Sequence, residues 1–512
     1  MAKNKITQPA AAYPSRSTNL LERLHQTAEH ANGNGHLSGS QVKLQILIVG
    51  AGLGGLATAV ALTRQGHKVT VLEQAAVLGE VGAGIQIPSN SCRLLMKWGL
   101  GPYLEQYAVK PDSMTFRRWE NGDPIAYTRL SPDFEDRYGA PYFVIHRADF
   151  HRALCRRAED LGVKIVTDSR VTDYDESIPS ATTFDGREYR ADLVIAADGV
   201  KSQARSVVLG GSDLPPQKTG FAAYRATVNT EEMKKDEDTA WLLEKPGINI
   251  WYVEDLFSSE ASVDDLRIGE DRHVMTYSIA GGNSFNMVLS HVDHSSPSTW
   301  NAENAIRDMQ ESFKDWDPKL FKVIKMIKST LKWPLMSGSR LQTWISRSKK
   351  LLILGDAAHA MVPYMSQGAA MAVEDGAALA TAISKIKCKD QVATALHVFE
   401  KERMSRSYDG PLQQARDLGM RAEVEGRPFV ESTNQWSDPV TQIWAYGYDA
   451  EDAIEELWQR YSVNNKLVML GAMAAEVGAK ARFAISVQAE DGLCNNDPAR
   501  KGSPFKTQIA AR

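Results

Sequence analysis

The sequence predicts an α/β protein in which a parallel-sheet domain is interrupted by a β-rich domain and followed by helices. Three observations predict it. Short apolar runs without alternation, LQILIVG from Leu44, ADLVIAADG ending at Gly199 and KKLLILGDAAH around Gly355, read as strands buried on both faces, as in a parallel sheet. Between the last two, GFAAYRATV, INIWYV, HVMTYSIAG and FNMVLSHV alternate apolar and polar residues, the pattern of antiparallel strands with one face covered. From residue 374 the spacing returns to helical, with VEDGAALATAISKI as an amphipathic segment.

The elements follow in order. Residues 1–42 are polar, rich in Gly, Asn and Ser, and read as a flexible leader. LQILIVG, the small apolar stretch GLATAVALTRQG closed by Gly66, and HKVTVLE then make a strand–helix–strand unit. The expected divisions are 43–213 for the first part of the parallel-sheet domain, 214–339 for the β-rich domain and 340–460 for the return with its helices. Residues 461–512 form a C-terminal extension.

Composition narrows the function classes. The 512 residues carry a net charge of −4, which argues against a dedicated nucleic-acid binder. No run of about 18 uncharged apolar residues is present, so no membrane-spanning helix is expected. Cys92, Cys155, Cys388 and Cys494 lie far apart with no CxxC spacing, which fits a reducing compartment, and the cytoplasm is the expected location. His146 with His151, and His291 with His294 beside Asp293, lack further clustered ligands, so no metal is expected.

Gly50-Ala51-Gly52-Leu53-Gly54-Gly55 matches GxGxxG directly after a strand. In this pattern Gly50 permits the tight turn, Gly52 lets a pyrophosphate approach the backbone, and Gly55 allows close helix–strand packing. The helix start then aims N–H groups at the phosphates. Glu73 ends the next strand 23 residues after Gly50, where a carboxylate accepts from ribose hydroxyls. NAD and FAD both satisfy this segment.

Further motifs separate them. Gly79-Glu80-Val81-Gly82-Ala83-Gly84-Ile85, His146-Arg147 in HRADFHRAL, Asp198-Gly199 in DLVIAADGVKSQAR and Gly355-Asp356-Ala357-Ala358-His359 stand in that order. With them the chain, from about Lys43 to about Asp452, resembles the FAD-dependent aromatic monooxygenases, closest in pattern to salicylate-hydroxylase-like enzymes, including those of fungal secondary metabolism. The resemblance implies a Rossmann-like FAD-binding domain interrupted by a β-rich substrate domain, the aromatic hydroxylase fold. It implies FAD as cofactor and NAD(P)H as a cosubstrate that visits without a domain of its own. The implied reaction uses O₂ through a C4a-hydroperoxyflavin to hydroxylate a phenol or aromatic carboxylate. Related flavin chemistry (epoxidation, Baeyer–Villiger oxidation, oxidative decarboxylation) and a non-catalytic FAD-fold binding protein are the alternatives.

The resemblance also implies site residues. Asp356 would accept hydrogen bonds from the ribityl and ribose region of FAD, although a carboxylate there can equally cap a helix. Pro363 breaks the chain ahead of Gln367-Gly368-Ala369. The N–H groups of Gly368 and Ala369 would face a negatively charged reduced flavin. Arg147 would lie near the FAD, with a salt bridge to Asp149 as the plain alternative. The Gly82-Ala83-Gly84 stretch has little side chain, so a cofactor could lie against the backbone at Ala83 and Gly84, with a plain loop as the alternative. Asp198 would support FAD or simply close a turn. On the substrate side, Tyr224-Arg225 matches the family's strand beside the flavin. Arg225 would stabilise a phenolate or carboxylate, and Tyr277 would hold the substrate oxygen, with an edge-strand charge and a core aromatic as the plain alternatives. One stretch departs from the family pattern: Tyr252–Arg267, acidic and serine-rich, reads as an exposed insertion or as translated intron sequence, and it puts the strand bearing Tyr277 in question.

Overall fold

The computed structural model describes residues 40–79, 82–252, 272–293, 295, 297, 300, 304–408 and 439–462. The chain divides into two units, Met1–Glu455 and Glu456–Arg512. All that follows concerns the first; in the second, residues 456–462 are helical.

The first βαβ unit is β1 (Gln45–Val49), α1 (Leu53–Arg64) and β2 (Lys68–Leu72), on the runs that predicted it. Next come β3 (Gly84–Ile87), α2 (Ser89–Lys97), β4 (Ser113–Arg118) and β5 (Pro124–Arg129). β6 (Phe143–His146) runs straight into α3 (Arg147–Asp160), which β7 (Lys164–Val166) follows. The meander β8 (Val171–Asp175), β9 (Ser180–Thr183), β10 (Glu188–Arg190) leads to β11 (Leu193–Ala196) and α4 (Ala204–Val208). The β-rich stretch holds β12 (Gln217–Asn229), β13 (Gly247–Tyr252), β14 (Arg272–Ile279) and β15 (Ser284–Val292). It closes with α5 (Ala305–Ser312), α6 (Pro318–Lys325) and β16 (Leu331–Ser337). The chain returns through β17 (Leu351–Ile353), α7 (Asp356–His359), α8 (Gln367–Ser384), α9 (Val392–Tyr408) and α10 (Pro439–Tyr446).

Five strands form a parallel sheet in the order β17-β11-β1-β2-β7. Its centre is buried on both faces, as the unbroken apolar runs require: Ile46, Leu47, Ile48, Leu193, Val194, Ile195, Leu352 and Ile353 are all at most 2% exposed. Helix α8 crosses α1 closely enough that a Cβ on Gly376 would stand 2.9 Å from the Thr58 Cα. The amphipathic reading of α8 needs correction. The helix is where its spacing predicted, but Glu374 and Asp375, its charged residues, are as buried as Val373 and Leu379.

The second sheet has seven strands in the order β16-β12-β15-β14-β13-β4-β5. Two of them, β4 and β5, precede residue 214: β4 pairs in parallel with β13, which would otherwise be an open edge. One face is covered by α5 and α6, whose Met309, Leu320 and Val323 pack with Trp251, Phe285 and Leu289. The other face meets the parallel-sheet half through Tyr142, Val144, Ile250 and Tyr277. β13 and β14 pair from Asn249↔Thr276 to Tyr252↔His273, so the strand bearing Tyr277 is in place. The insertion itself lies, from residue 253 on, outside the described residues, as do the leader up to residue 39 and the extension from residue 463. No helix among the described residues is long and apolar enough to cross a membrane.

Candidate cofactor and active site

The glycine turn does what its three positions require. Gly50 has φ +104°, and a Cβ there would overlap the Ala197 carbonyl oxygen. A Cβ on Gly55 would overlap the Gly50 carbonyl oxygen, so α1 sits directly on the turn. A Cβ on Gly52 would meet nothing within 4 Å, which leaves its backbone open on one side. Glu73 is anchored to the same turn: Ala51 N donates to its Oε2 at 2.8 Å and Ala75 N to its Oε1 at 2.9 Å. From below, His151 Nε2 stands 2.7 Å from the Ala51 carbonyl oxygen.

Asp198 divides its two oxygens. Oδ2 accepts from Gln203 N at 3.0 Å, Ala204 N at 3.4 Å and the Tyr174 hydroxyl at 3.2 Å, holding the turn before α4. Oδ1 is buried and has no partner among the described residues. Asp356 behaves differently. Gly355, with φ +61°, occupies the cap position of α7, and no side chain caps that helix. The capping alternative is thus not what Asp356 does; its side chain stands exposed where the chain leaves β17.

Met365 and Ser366 both have positive φ, 55° and 56°, immediately before α8. Each such non-glycine residue costs about 1–3 kcal/mol and persists only when its surroundings enforce it. The result is a helix start at Gln367 with Gly368 and Ala369 in the first turn and no acid there. Their N–H groups have no intrahelical acceptor.

The substrate side is set by register. Arg225 pairs with Val288, Val288 with Met275, and Tyr277 with Asn286. Period-two alternation therefore puts Arg225, Val288, Met275, Tyr277 and Asn286 on one face of the seven-stranded sheet. Tyr224 belongs to the other face, where it stacks on His291 at 4.7 Å. Of the Tyr224-Arg225 pair, only Arg225 shares the sheet face of Tyr277. His291 is held neutral, its pKa pushed down to about 4 by burial and then by Lys332. Lys332 forms an ion pair with Asp293, and His294 lies outside the described residues.

Gly84 joins the two halves. Its N–H donates to Asn286 Oδ1 at 2.6 Å, and a Cβ there would stand 2.5 Å from Tyr277 Cε2 and 2.7 Å from Asn286 Cγ. The bare backbone at Gly84 is therefore filled by the sheet and not left open, a correction to the sequence reading. Ala83 O accepts from Arg147 N at 3.1 Å, so the start of α3 is tied to the same strand. Asp149 pairs with Arg152 at 2.8 Å. The half-buried Arg225 guanidinium has no hydrogen-bond or ion-pair partner among the described residues. Burial lowers its pKa; Tyr277 opposes that shift and Arg147 adds to it. Burial raises the Tyr277 hydroxyl well above its ordinary value, against the pull of Arg225, so it stays protonated. Tyr142 donates to Gln86 Oε1 nearby, and Asn286 Nδ2 is buried with no partner among the described residues.

Sequence reading did not single out Gln86, Tyr142, Asn286 or the buried charges of α8. For the last, a signal existed: an adjacent Glu-Asp pair on one apolar helix and Arg403 and Arg406 one turn apart on the next. Among the described residues the site fits a flavin dinucleotide: an open Gly52, a bare Asp198 Oδ1, an uncapped Asp356 and an N-terminal helix turn.

Comparison with known proteins agrees. Residues 43–408 match the FAD binding domain family. The FAD-dependent monooxygenase OpS4 of Beauveria bassiana (strain ARSEF 2860) is 33% identical over 425 residues, 80% of this chain and 95% of its own. The 3-hydroxybenzoate 6-hydroxylase of Klebsiella oxytoca is 31% identical over 428 residues, covering 80% of this chain and 98% of its own. The solved structure of CtdE in complex with FAD and substrate 4 matches with a TM-score of 0.68 at 25% identity, covering 82% of this chain and 98% of that one. On its motifs, its fold and these relatives, the chain belongs to the FAD-dependent aromatic monooxygenase family.

Proposed function

We propose that the protein hydroxylates a phenolic or aromatic-carboxylate substrate with NAD(P)H and O₂, in cytoplasmic secondary metabolism. The observation that carries this reading is Arg225: a half-buried cation without a partner among the described residues, on the sheet face that presents Tyr277. A cation held this way favours an anionic ligand oxygen and lowers the pKa of a bound phenol. The protonated Tyr277 hydroxyl would donate to that oxygen.

Glu73, Asp198, Asp356 and the open Gly52 would hold FAD, with Arg147 beside it and the Gly368 and Ala369 N–H groups at its ring. Ala83 would present its backbone to the cofactor, while Gly84 packs against Tyr277. What FAD supplies when bound is acceptance of two electrons from NAD(P)H and their delivery to O₂. The chain's own part is to orient the aromatic ring, keep the phenol oxygen anionic and exclude water.

A panel of phenols and hydroxybenzoates, scored by oxygen uptake, NAD(P)H oxidation and product mass, tests this. A member that stimulates oxygen uptake and gains one oxygen atom is the expected result. Stimulation confined to neutral ketones or alkenes, with no phenol hydroxylated, would refute it.

A further inference from the structure

Beneath the proposed flavin site lies a group of charges that the reaction itself does not use. Glu374, Asp375 and Arg403 are fully buried, and His359 and Arg406 nearly so. Arg403 from α9 donates through Nε to Asp375 Oδ1 at 2.8 Å and lies 2.9 Å from Glu374 Oε2 through Nη1. Arg406 donates to both Glu374 oxygens, at 3.0 and 3.2 Å, and its guanidinium lies 4.1 Å from the Trp444 and Tyr448 rings. Burial opposes ionisation of both acids. For Asp375 it is outweighed by His359 and Arg403, and for Glu374 by Arg406 and Arg403, so both pKa values fall and both are carboxylates.

Two hydrogen-bond chains leave this group, and each ends on a turn that faces the proposed flavin. Asp375 Oδ2 accepts from Gly355 N at 3.0 Å, the residue before Asp356, and from His359 Nε2 at 2.7 Å. An ionised carboxylate only accepts, so His359 donates through Nε2. The rest of α7 is pinned by Arg205, which donates to Ala357 O, and by the Tyr408 hydroxyl, which donates to Ala358 O. On the other side, Asn90 Nδ2 donates to Glu374 Oε1 at 2.7 Å and to Gln367 Oε1 at 3.0 Å. Gln367 Nε2 in turn donates to Met365 O at 3.3 Å, inside the pair of positive-φ residues before α8.

We propose that Asp375 and Glu374 are positioning residues for the cofactor: Asp375 sets the Gly355–Asp356 turn, and Glu374, through Asn90 and Gln367, sets the Met365–Ser366 turn. Stability alone does not account for them, because apolar residues of equal volume often replace buried ion pairs at no loss. A carboxylate can accept several bonds at once, so each acid holds arginine and a turn together. The inference rests on the reading that FAD lies against Asp356 and the start of α8.

Titration of apoprotein with FAD, followed by flavin fluorescence, tests it through a double-mutant cycle. D375N should weaken FAD about tenfold or more while Asp356 is present. In a D356N background the same change should alter affinity less than about threefold, since Asp375 acts through that turn. Independent, multiplying effects would overturn the Asp375 half. Unchanged affinity in D356N alone would overturn the cofactor-site reading, and this inference with it.

N90L removes no charge and so tests the second chain even if D375N fails to fold. Its apoprotein should melt close to wild type yet bind FAD about tenfold more weakly. Wild-type affinity in N90L would overturn the Glu374 half.

Discussion

Gly52 and Gly55 stand three residues apart in one motif and answer to different constraints. A side chain at Gly55 runs into the Gly50 carbonyl, whereas one at Gly52 points into open space. G55A should therefore cost about 2–3 kcal/mol of stability in the apoprotein, the usual price of overpacking. G52A should leave apoprotein melting unchanged and weaken FAD, because the added methyl occupies the space the pyrophosphate would use. Melting curves and FAD titrations of both variants check this; equal destabilisation by both would contradict it. These roles were legible because a glycine motif encodes backbone geometry locally. Asp198 was not fully legible. Its two oxygens have different environments, one spent on the turn before α4 and one bare, and no spacing rule separates them.

At the scale of elements, α8 shows where periodicity stops informing. The pattern VEDGAALATAISKI correctly marks a helix, but it assigns Glu374 and Asp375 to a polar face that the structure buries. Their partners, Arg403 and Arg406, are 28 and 32 residues on, and only the packing of α9 on α8 brings them within hydrogen-bond reach. The consequence is a pH dependence with a definite sign. Against the cost of burial, His359 and Arg403 hold the Asp375 carboxyl down to about 2, below the ordinary carboxylate range. A depressed carboxylate stabilises the fold above the unfolded pKa, and that stabilisation is lost as pH falls from about 4 through about 2. Its contribution is on the order of 2 kcal/mol. Urea midpoints should thus fall steeply between pH 4 and pH 2 in wild type and more shallowly in D375N. Parallel acid profiles would show that Asp375 titrates the same folded and unfolded.

For the molecule as a whole, the order of strands was readable and the way the two sheets meet was not. Unbroken apolar runs located β1, β11 and β17, the strand–helix–strand order located β2, and alternation located β12 to β15. Nothing in Ser113–Arg129 announced that β4 and β5 would complete the seven-stranded sheet, because β4 joins it by pairing with β13, well over a hundred residues on, and β5 follows only by pairing with β4. The contact of Gly84 with Tyr277 and Asn286 is likewise a product of that assembly. It brings β3 against the sheet face that carries Arg225.

A crystal structure of the FAD-loaded protein tests most directly whether a single cofactor reaches from Glu73 past Asp356 to the start of α8. It should show the ribose within hydrogen-bond distance of Glu73, the ribityl chain at Asp356 and the flavin ring at the N–H groups of Gly368 and Ala369. Clear FAD density that touches none of these residues would contradict it.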